Sequence, residues 1–146
     1  MKWLVAVDGS QAALAAVRHA LALHASGLRM TCVLANVQEP PTLYEMAVAH
    51  DVQRLRDLRA SAGADLLRTP EQWLGAAGVG CEIEVAGGEP ANVLLELAEN
   101  YGCEAIVIGA RGVSDPQGAG LGSVVSAVLA RAALPVTVVR APAAVA

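Results

Sequence analysis

Short apolar runs and helix-spaced segments take turns along the whole of this 146-residue chain, and that alternation limits the fold more than any other feature. Strands that arrive singly, each followed by a helical segment, build a parallel sheet with helices on both faces. Trp3 to Val7 is a continuous apolar run closed by Asp8-Gly9-Ser10. Leu14, Val17, Leu21 and Leu28 then recur near helical spacing, with Arg18, His19 and His24 off that face. Thr31 to Val37 reads as the second strand, closed by Glu39-Pro40-Pro41. From about Tyr44 to Ala77 the pattern suits a long exposed helix that Pro70 breaks or restarts. Gly80 to Ala86 alternates Cys81, Ile83 and Val85 with Glu82 and Glu84, which suits a strand near a sheet edge. Gly87-Gly88-Glu89-Pro90 opens a helix with Pro90 in its first turn and Leu94, Leu97, Ala98 and Tyr101 as its buried stripe. Ala105 to Gly109 is wholly apolar and reads as a central strand. A glycine-rich loop follows, then a helix carrying Leu121, Val125, Val128 and Leu129, a last strand from Pro135 to Arg140, and a tail.

The length suits one domain spanning residues 1–146, with no repeat or linker to divide it. Hydrophobic residues make up 55% of the chain but aromatic ones only 3%, so Ala, Val and Leu must supply the packing. Mean hydropathy is high at +0.47, yet no uninterrupted apolar stretch is long enough for a bilayer. The opening run is too short, and too soon interrupted by Asp8, for a signal peptide, so a cytoplasmic protein is expected. A net charge of −4, with no basic patch interleaved with aromatics, argues against nucleic-acid binding. Cys32, Cys81 and Cys103 lie far apart in or beside apolar runs, as buried reduced thiols would.

In sheets of this kind ligands sit beyond the carboxyl ends of the strands, where the winding direction reverses. Two loops at such ends carry the polar and glycine residues: Asp8-Gly9-Ser10, and the segment from Gly109 onwards. The second reads Gly109-Ala110-Arg111-Gly112, nine residues, then Gly122-Ser123. Glycines let backbone N–H groups approach an anion closely, and a helix start adds free donors and positive dipole. Two commoner phosphate loops are excluded. The only lysine is Lys2, so there is no Gly-x4-Gly-Lys-Ser/Thr, and Gly118 to Gly122 is one residue short of G-x-G-x-x-G. The missing late lysine also excludes a phosphoacceptor receiver domain. Trp3, Trp73, Tyr44 and Tyr101 stand outside the loops where a flavodoxin-like protein would hold its flavin.

Each candidate carries two readings. Asp8 is either a turn or capping carboxylate or an acceptor for the base or a sugar hydroxyl of a nucleotide. Arg111 is either a solvent-facing loop charge or a phosphate contact. Ser123 caps the last helix, bonds a phosphate, or does both. His19, His24 and His50 have no partners at metal-ligand spacing and read as surface residues; no metal site is expected. Neither Ser10 nor Ser123 sits in a G-x-S-x-G elbow, so no catalytic residue is assigned.

With these residues in view, Gly109-x2-Gly112-x9-Gly122-Ser123 resembles the nucleotide-binding signature of the universal stress protein family, in its ATP-binding branch. The likeness extends to Val5-Ala6-Val7-Asp8-Gly9-Ser10, Leu34-Ala35-Asn36-Val37, Gly88-Glu89-Pro90, Glu104 to Gly109 and Leu134 to Val139, in order. The resemblance implies a doubly wound, Rossmann-like α/β fold with five parallel strands in the order 3-2-1-4-5, which sets Asp8 opposite Gly109. It also implies that Asp8 and the backbone of Val37 hold adenine. Gly109, Gly112, Gly122 and Ser123 would hold ribose and phosphates, often with a divalent ion such as magnesium. Family members usually pair as homodimers through the fifth strand, here Pro135 to Arg140, an apolar edge in need of cover.

This chain departs from the family in two places. Ala110 stands where Ser or Thr usually follows the first glycine, and Asp115 adds negative charge to a loop that is commonly basic. ATP is the expected ligand, with weakened affinity and with ADP or AMP as competitors. The expected role is a stress-response sensor or regulator rather than an enzyme. The alternatives are a slow ATPase or nucleotidyl-transfer enzyme, and an interaction module that binds no nucleotide.

Overall fold

The computed structural model describes residues 1–40, 42–48, 51–113 and 120–142. Five strands form one parallel sheet: β1 (Lys2–Ala6), β2 (Thr31–Gln38), β3 (Gly80–Gly87), β4 (Ala105–Gly109) and β5 (Val136–Val139). Their order across the sheet is β3-β2-β1-β4-β5, the order the resemblance implies. The chain winds outward from β1 to β3, then returns to the other side of β1 for β4 and β5. The winding direction therefore reverses between β1 and β4, which pair directly through Trp3–Ala105, Leu4–Ile106 and Val5–Val107. That reversal opens a crevice at the carboxyl ends of both strands.

Alternate strand residues serve opposite faces. Val5, Val7, Cys32, Leu34 and Val107 pack with α1 (Gln11–Ala25) and α3 (Val52–Ala76). Leu4, Val33, Ala35, Ile106 and Ile108 pack with α4 (Pro90–Asn100) and α5 (Ser123–Arg131). A short α2 (Leu43–Val48) buries none of its residues and is tied to α3 by the ion pair of Glu45 with Arg59. The Arg59 hydrogen bond holds the Glu45 carboxyl below its usual range.

Several expectations from periodicity need correction. The buried face of α1 is Ala12, Ala13, Ala15, Ala16, Val17 and Ala20, not a leucine stripe, and Leu28 lies beyond the helix. Small residues bring this helix close to the sheet, so alanine occupies the inside and the larger Leu14 and Leu21 its flanks. His19 and His24 are half-buried rather than on the open surface. Pro70 neither breaks nor restarts α3; it stands inside the helix. With Gly63, Leu67 and Leu74 it makes up the stripe that α3 buries against the sheet. A proline there costs about 3 kcal/mol, and burial of the stripe offsets it. On α5 only Val125 and Val128 are buried and Leu129 is 41% exposed, while Leu121, 39% exposed, lies before the helix rather than on it. On α4, Ala91 joins Leu94, Leu97 and Ala98, and Tyr101 is the half-buried C-cap.

The strand readings hold more closely. β4 is buried from end to end, and β3, with its alternating glutamates, is an edge strand. Cys32 and Cys103 are buried and Cys81 is half-buried. Burial, reinforced by neighbouring negative groups, pushes the Cys32 and Cys81 thiols up to about 11. Asp115 and His50 lie outside the described residues.

Candidate functional site

A cavity of about 630 Å³ opens where β1 and β4 diverge, a volume suited to a small organic ligand. Asp8, Val37, Gly109, Arg111, Gly112, Gly122 and Ser123 all line it, so the fold brings every sequence-predicted site residue to one cleft. The two loops are tied together by Ser10, a buried residue whose hydroxyl accepts from Ala13 N–H at 3.1 Å and caps α1. The same hydroxyl lies 3.5 Å from the carbonyl of Arg111.

Both readings of Asp8 have a place in this geometry. One carboxylate oxygen, Oδ1, accepts from Ser10 N–H at 2.9 Å and fixes the turn into α1. The other, Oδ2, faces the glycine loop: a Cβ built on Gly112 would lie 3.0 Å from it. Arg111 is half-buried and lines the cleft.

The three motif glycines have three different surroundings. A Cβ on Gly109 would stand 2.7 Å from Ala12 Cβ and 2.8 Å from Ala12 carbonyl carbon, so glycine there is demanded by the approach of α1. A Cβ on Gly112 would press on Asp8. A Cβ on Gly122 would meet its nearest neighbours at 3.6 Å, an ordinary contact, so nothing in the protein itself requires glycine at that position.

Gly122 is the N-cap of α5, with Ser123 its first helical residue; the capping role offered for Ser123 is therefore not the one it has. No side chain among the described residues caps α5. The other four helices are capped, by Ser10 on α1, Thr42 on α2, Asp51 on α3 and Glu89 on α4. Ser123, Val124 and Val125 all line the cleft. Their first-turn N–H groups, with the positive end of the helix dipole behind them, stand at this end of the cleft, the part of a helix that favours negative charge.

Opposite this end of the cleft, β2 runs past the end of β1. Val7 N–H donates to Ala35 O at 2.8 Å. The next rung of a parallel ladder would join Val37 N–H to Val7 O. Among the described residues that bond is replaced: Asn36 Nδ2 donates to Val7 O at 2.8 Å instead. Val37 is left with a main-chain donor and acceptor on the side facing the cleft. Asn36 is 2% exposed, and its Oδ1 accepts from Gln38 Nε2 at 2.6 Å. Gly63 of α3 closes over it, since a Cβ there would lie 2.6 Å from that same oxygen.

The sequence reading missed Asn36, Gln38, Arg59 and Leu66, all of which line the cleft. One available signal was Asn36, a lone amide in the otherwise apolar run Cys32 to Val37. The expected penalty at Ala110 also needs revision. Ala110 is 1% exposed and is not among the residues lining the cleft, so a hydroxyl missing there is not missing from the cleft wall.

The model of the universal stress protein family matches residues 1–140. The chain belongs to that family. Universal stress protein YxiE of Bacillus subtilis is 33% identical over 91 residues, which span 62% of each chain. Universal stress protein MJ0531 of Methanocaldococcus jannaschii is 27% identical over 97% of this chain and 82% of its own. Among solved structures, universal stress protein UspA from Lactobacillus plantarum superposes with a TM-score of 0.83 at 25% identity, over 96% of this chain and 97% of that one. An Arabidopsis thaliana family member with AMP bound gives 0.70 at 21% identity, over 98% and 93% of the two chains. A universal stress protein in complex with cAMP gives 0.69 at 23%, over 97% and 98%. At those identities the two complexes attest the shared fold; their ligands are their own. No helix among the described residues of this universal stress protein is long and apolar enough to cross a membrane.

Proposed function

We propose that this universal stress protein binds an adenine nucleotide, ATP foremost, in the cleft between β1 and β4, and acts in the cytoplasm as a stress sensor or regulator. The observation that carries the reading is the pairing of two open backbone features across one cavity. Among the described residues, one side holds the uncapped first turn of α5 and the glycine loop, and the other holds the unpaired edge of Val37 beside the Asp8 carboxylate.

Adenine presents a donor and an acceptor side by side on its Watson–Crick edge. The Val37 N–H and C=O offer the complementary pair, and Asp8 is a further acceptor for the base or a sugar hydroxyl. The N–H groups of Ser123, Val124 and Val125, the Ser123 hydroxyl and the backbone at Gly109, Gly112 and Gly122 would hold ribose and phosphates, with Arg111 supplying positive charge. Magnesium enters as the counter-ion of the phosphates. The AMP and cAMP complexes of family members support the ligand class. Homodimerisation through β5 belongs to the same proposal, since β5 is an edge strand whose four half-buried residues include three valines.

Calorimetric titration with magnesium-ATP tests the binding. The wild type gives saturable heat, and Gly122→Val, whose Cβ has room in the fold but whose side chain enters the phosphate corner, abolishes it. Absence of heat from the wild type, or an unchanged affinity in Gly122→Val, would sink the reading.

A further inference from the structure

We infer that Asn36 and Gln38 form a two-amide relay that sharpens the preference of the base end of the cleft for a 6-amino over a 6-oxo purine, beyond what the Val37 backbone supplies, an inference that rests on the nucleotide reading above. The relay starts from a group with no choice of role. A backbone carbonyl can only accept, so the Asn36 amide must turn its NH2 towards Val7 O, and it does so at 2.8 Å. Its oxygen is thereby committed to the opposite side. There it meets the Gln38 amide at 2.6 Å, and only the NH2 of Gln38 can satisfy it. The orientation of both amides thus follows from hydrogen-bond logic alone. Gln38 Oε1 is the acceptor left over, and no group among the described residues donates to it.

The arrangement is fixed rather than adaptable. Asn36 is almost wholly buried, so water cannot compete for its amide, and the backbone of α3 at Gly63 stands directly over its oxygen. Gln38 is half-buried and lines the cleft beside Val37, where the base would lie. A purine with an exocyclic amine at position 6 offers a donor to the leftover oxygen. A purine with a carbonyl at position 6 brings acceptor against acceptor, and a buried polar group left without its partner is what drives discrimination in such sites. Asn36 acts here as a positioning residue twice over. It turns Gln38, and by occupying Val7 O it leaves the Val37 N–H open to the cleft.

The test is calorimetric titration of the wild type and Gln38→Met with three probes: ATP, inosine triphosphate, and purine riboside triphosphate, which lacks any substituent at position 6. The wild type is expected to bind ATP at least about tenfold more tightly than inosine triphosphate. In Gln38→Met that ratio falls at least about threefold, the remainder being held by the Val37 N–H and C=O, while the unsubstituted probe binds wild type and variant alike. Gln38→Leu takes the place of Gln38→Met where thermal melting shows that the methionine variant has lost the fold. A wild type that binds ATP and inosine triphosphate equally overturns the inference, as does a folded variant that keeps the wild-type ratio. A wild type that binds none of the three overturns the nucleotide reading itself, a different result from either.

Discussion

Replacing Gly109 and Gly122 separately by alanine divides the glycine motif into a part that builds the fold and a part that serves the ligand. At Gly109 the new Cβ would stand 2.7 to 3.0 Å from the Cβ, carbonyl carbon and carbonyl oxygen of Ala12. Two of those three atoms are backbone, so relief requires the first turn of α1 to move off the end of β4. Overpacking of this kind costs about 1–3 kcal/mol, and the backbone contact argues for the upper half of that range. Alanine restricts the unfolded chain more than glycine does, which returns about 0.4–1 kcal/mol. The net loss is about 1–2.5 kcal/mol, a fall in melting temperature of about 3–8 °C for a chain of this length. At Gly122 the Cβ meets nothing closer than 3.6 Å with φ at −68°, so stability should stay within about 0.5 kcal/mol of wild type. That same Cβ stands at the corner proposed for the phosphates, and ATP affinity should fall at least about tenfold. Thermal melts followed by circular dichroism, with ATP titrations on the same preparations, give both numbers. A Gly109→Ala protein that melts with the wild type would refute the packing argument. So would a Gly122→Ala protein that loses stability but keeps its affinity.

The remaining expectations concern other parts of the molecule. Gly63→Ala would set a Cβ 2.6 Å from Asn36 Oδ1 and 2.8 Å from Val85 Cγ1, so it should lower both the melting temperature and ATP affinity in paired melts and titrations. With thiols pushed from 9.0 to about 11, Cys32 and Cys81 should react with iodoacetamide at pH 8 about 100-fold more slowly than a free cysteine, as followed by mass spectrometry. Because the folded state holds these protons more tightly than the unfolded one, their linkage is neutral below pH 9 and costs stability as pH rises from 9 towards 11, which alkaline melts would show. In β5 Pro135 and Val139 are bonded to β4 and the alternation puts Thr137 on the same side, which leaves the N–H of Val138 on the open edge. Val138→Pro should therefore convert a dimer to a monomer in sedimentation velocity while leaving ATP binding in place.

Most of the sheet was legible because a parallel strand covered on both faces is almost continuously apolar, and Trp3 to Val7, Cys32 to Val37 with its one amide, and Ala105 to Gly109 read as such strands. The strand order was not readable from periodicity; it came from the family resemblance. Helix faces were read less well, for a physical reason. Hydrophobic period assumes that the largest apolar side chains point inwards, but α1 lies so close to the sheet that alanine and one valine, Val17, fill the space between them, and the leucines move to its flanks. The contact of Ala12 with Gly109 is the same closeness seen from the other side. Pro70 misled because a local rule about helix interiors was outweighed by the burial of a whole stripe. At the site, the glycines and Asp8 announced themselves through turn chemistry. Asn36 and Gln38 did not, since their importance lies in a ladder rung that the side chain of Asn36 takes over, and that exchange exists only once β1 has ended beside β2.

The most direct test is a two-dimensional amide spectrum of 15N-labelled protein titrated with magnesium-ATP. Saturable shifts should concentrate at Val37 on one side of the cleft and at Gly112, Ser123, Val124 and Val125 on the other, with Val138 on the far edge of β5 unmoved. A spectrum in which those five amides stay still at saturating nucleotide, or in which the shifts gather elsewhere, contradicts the account.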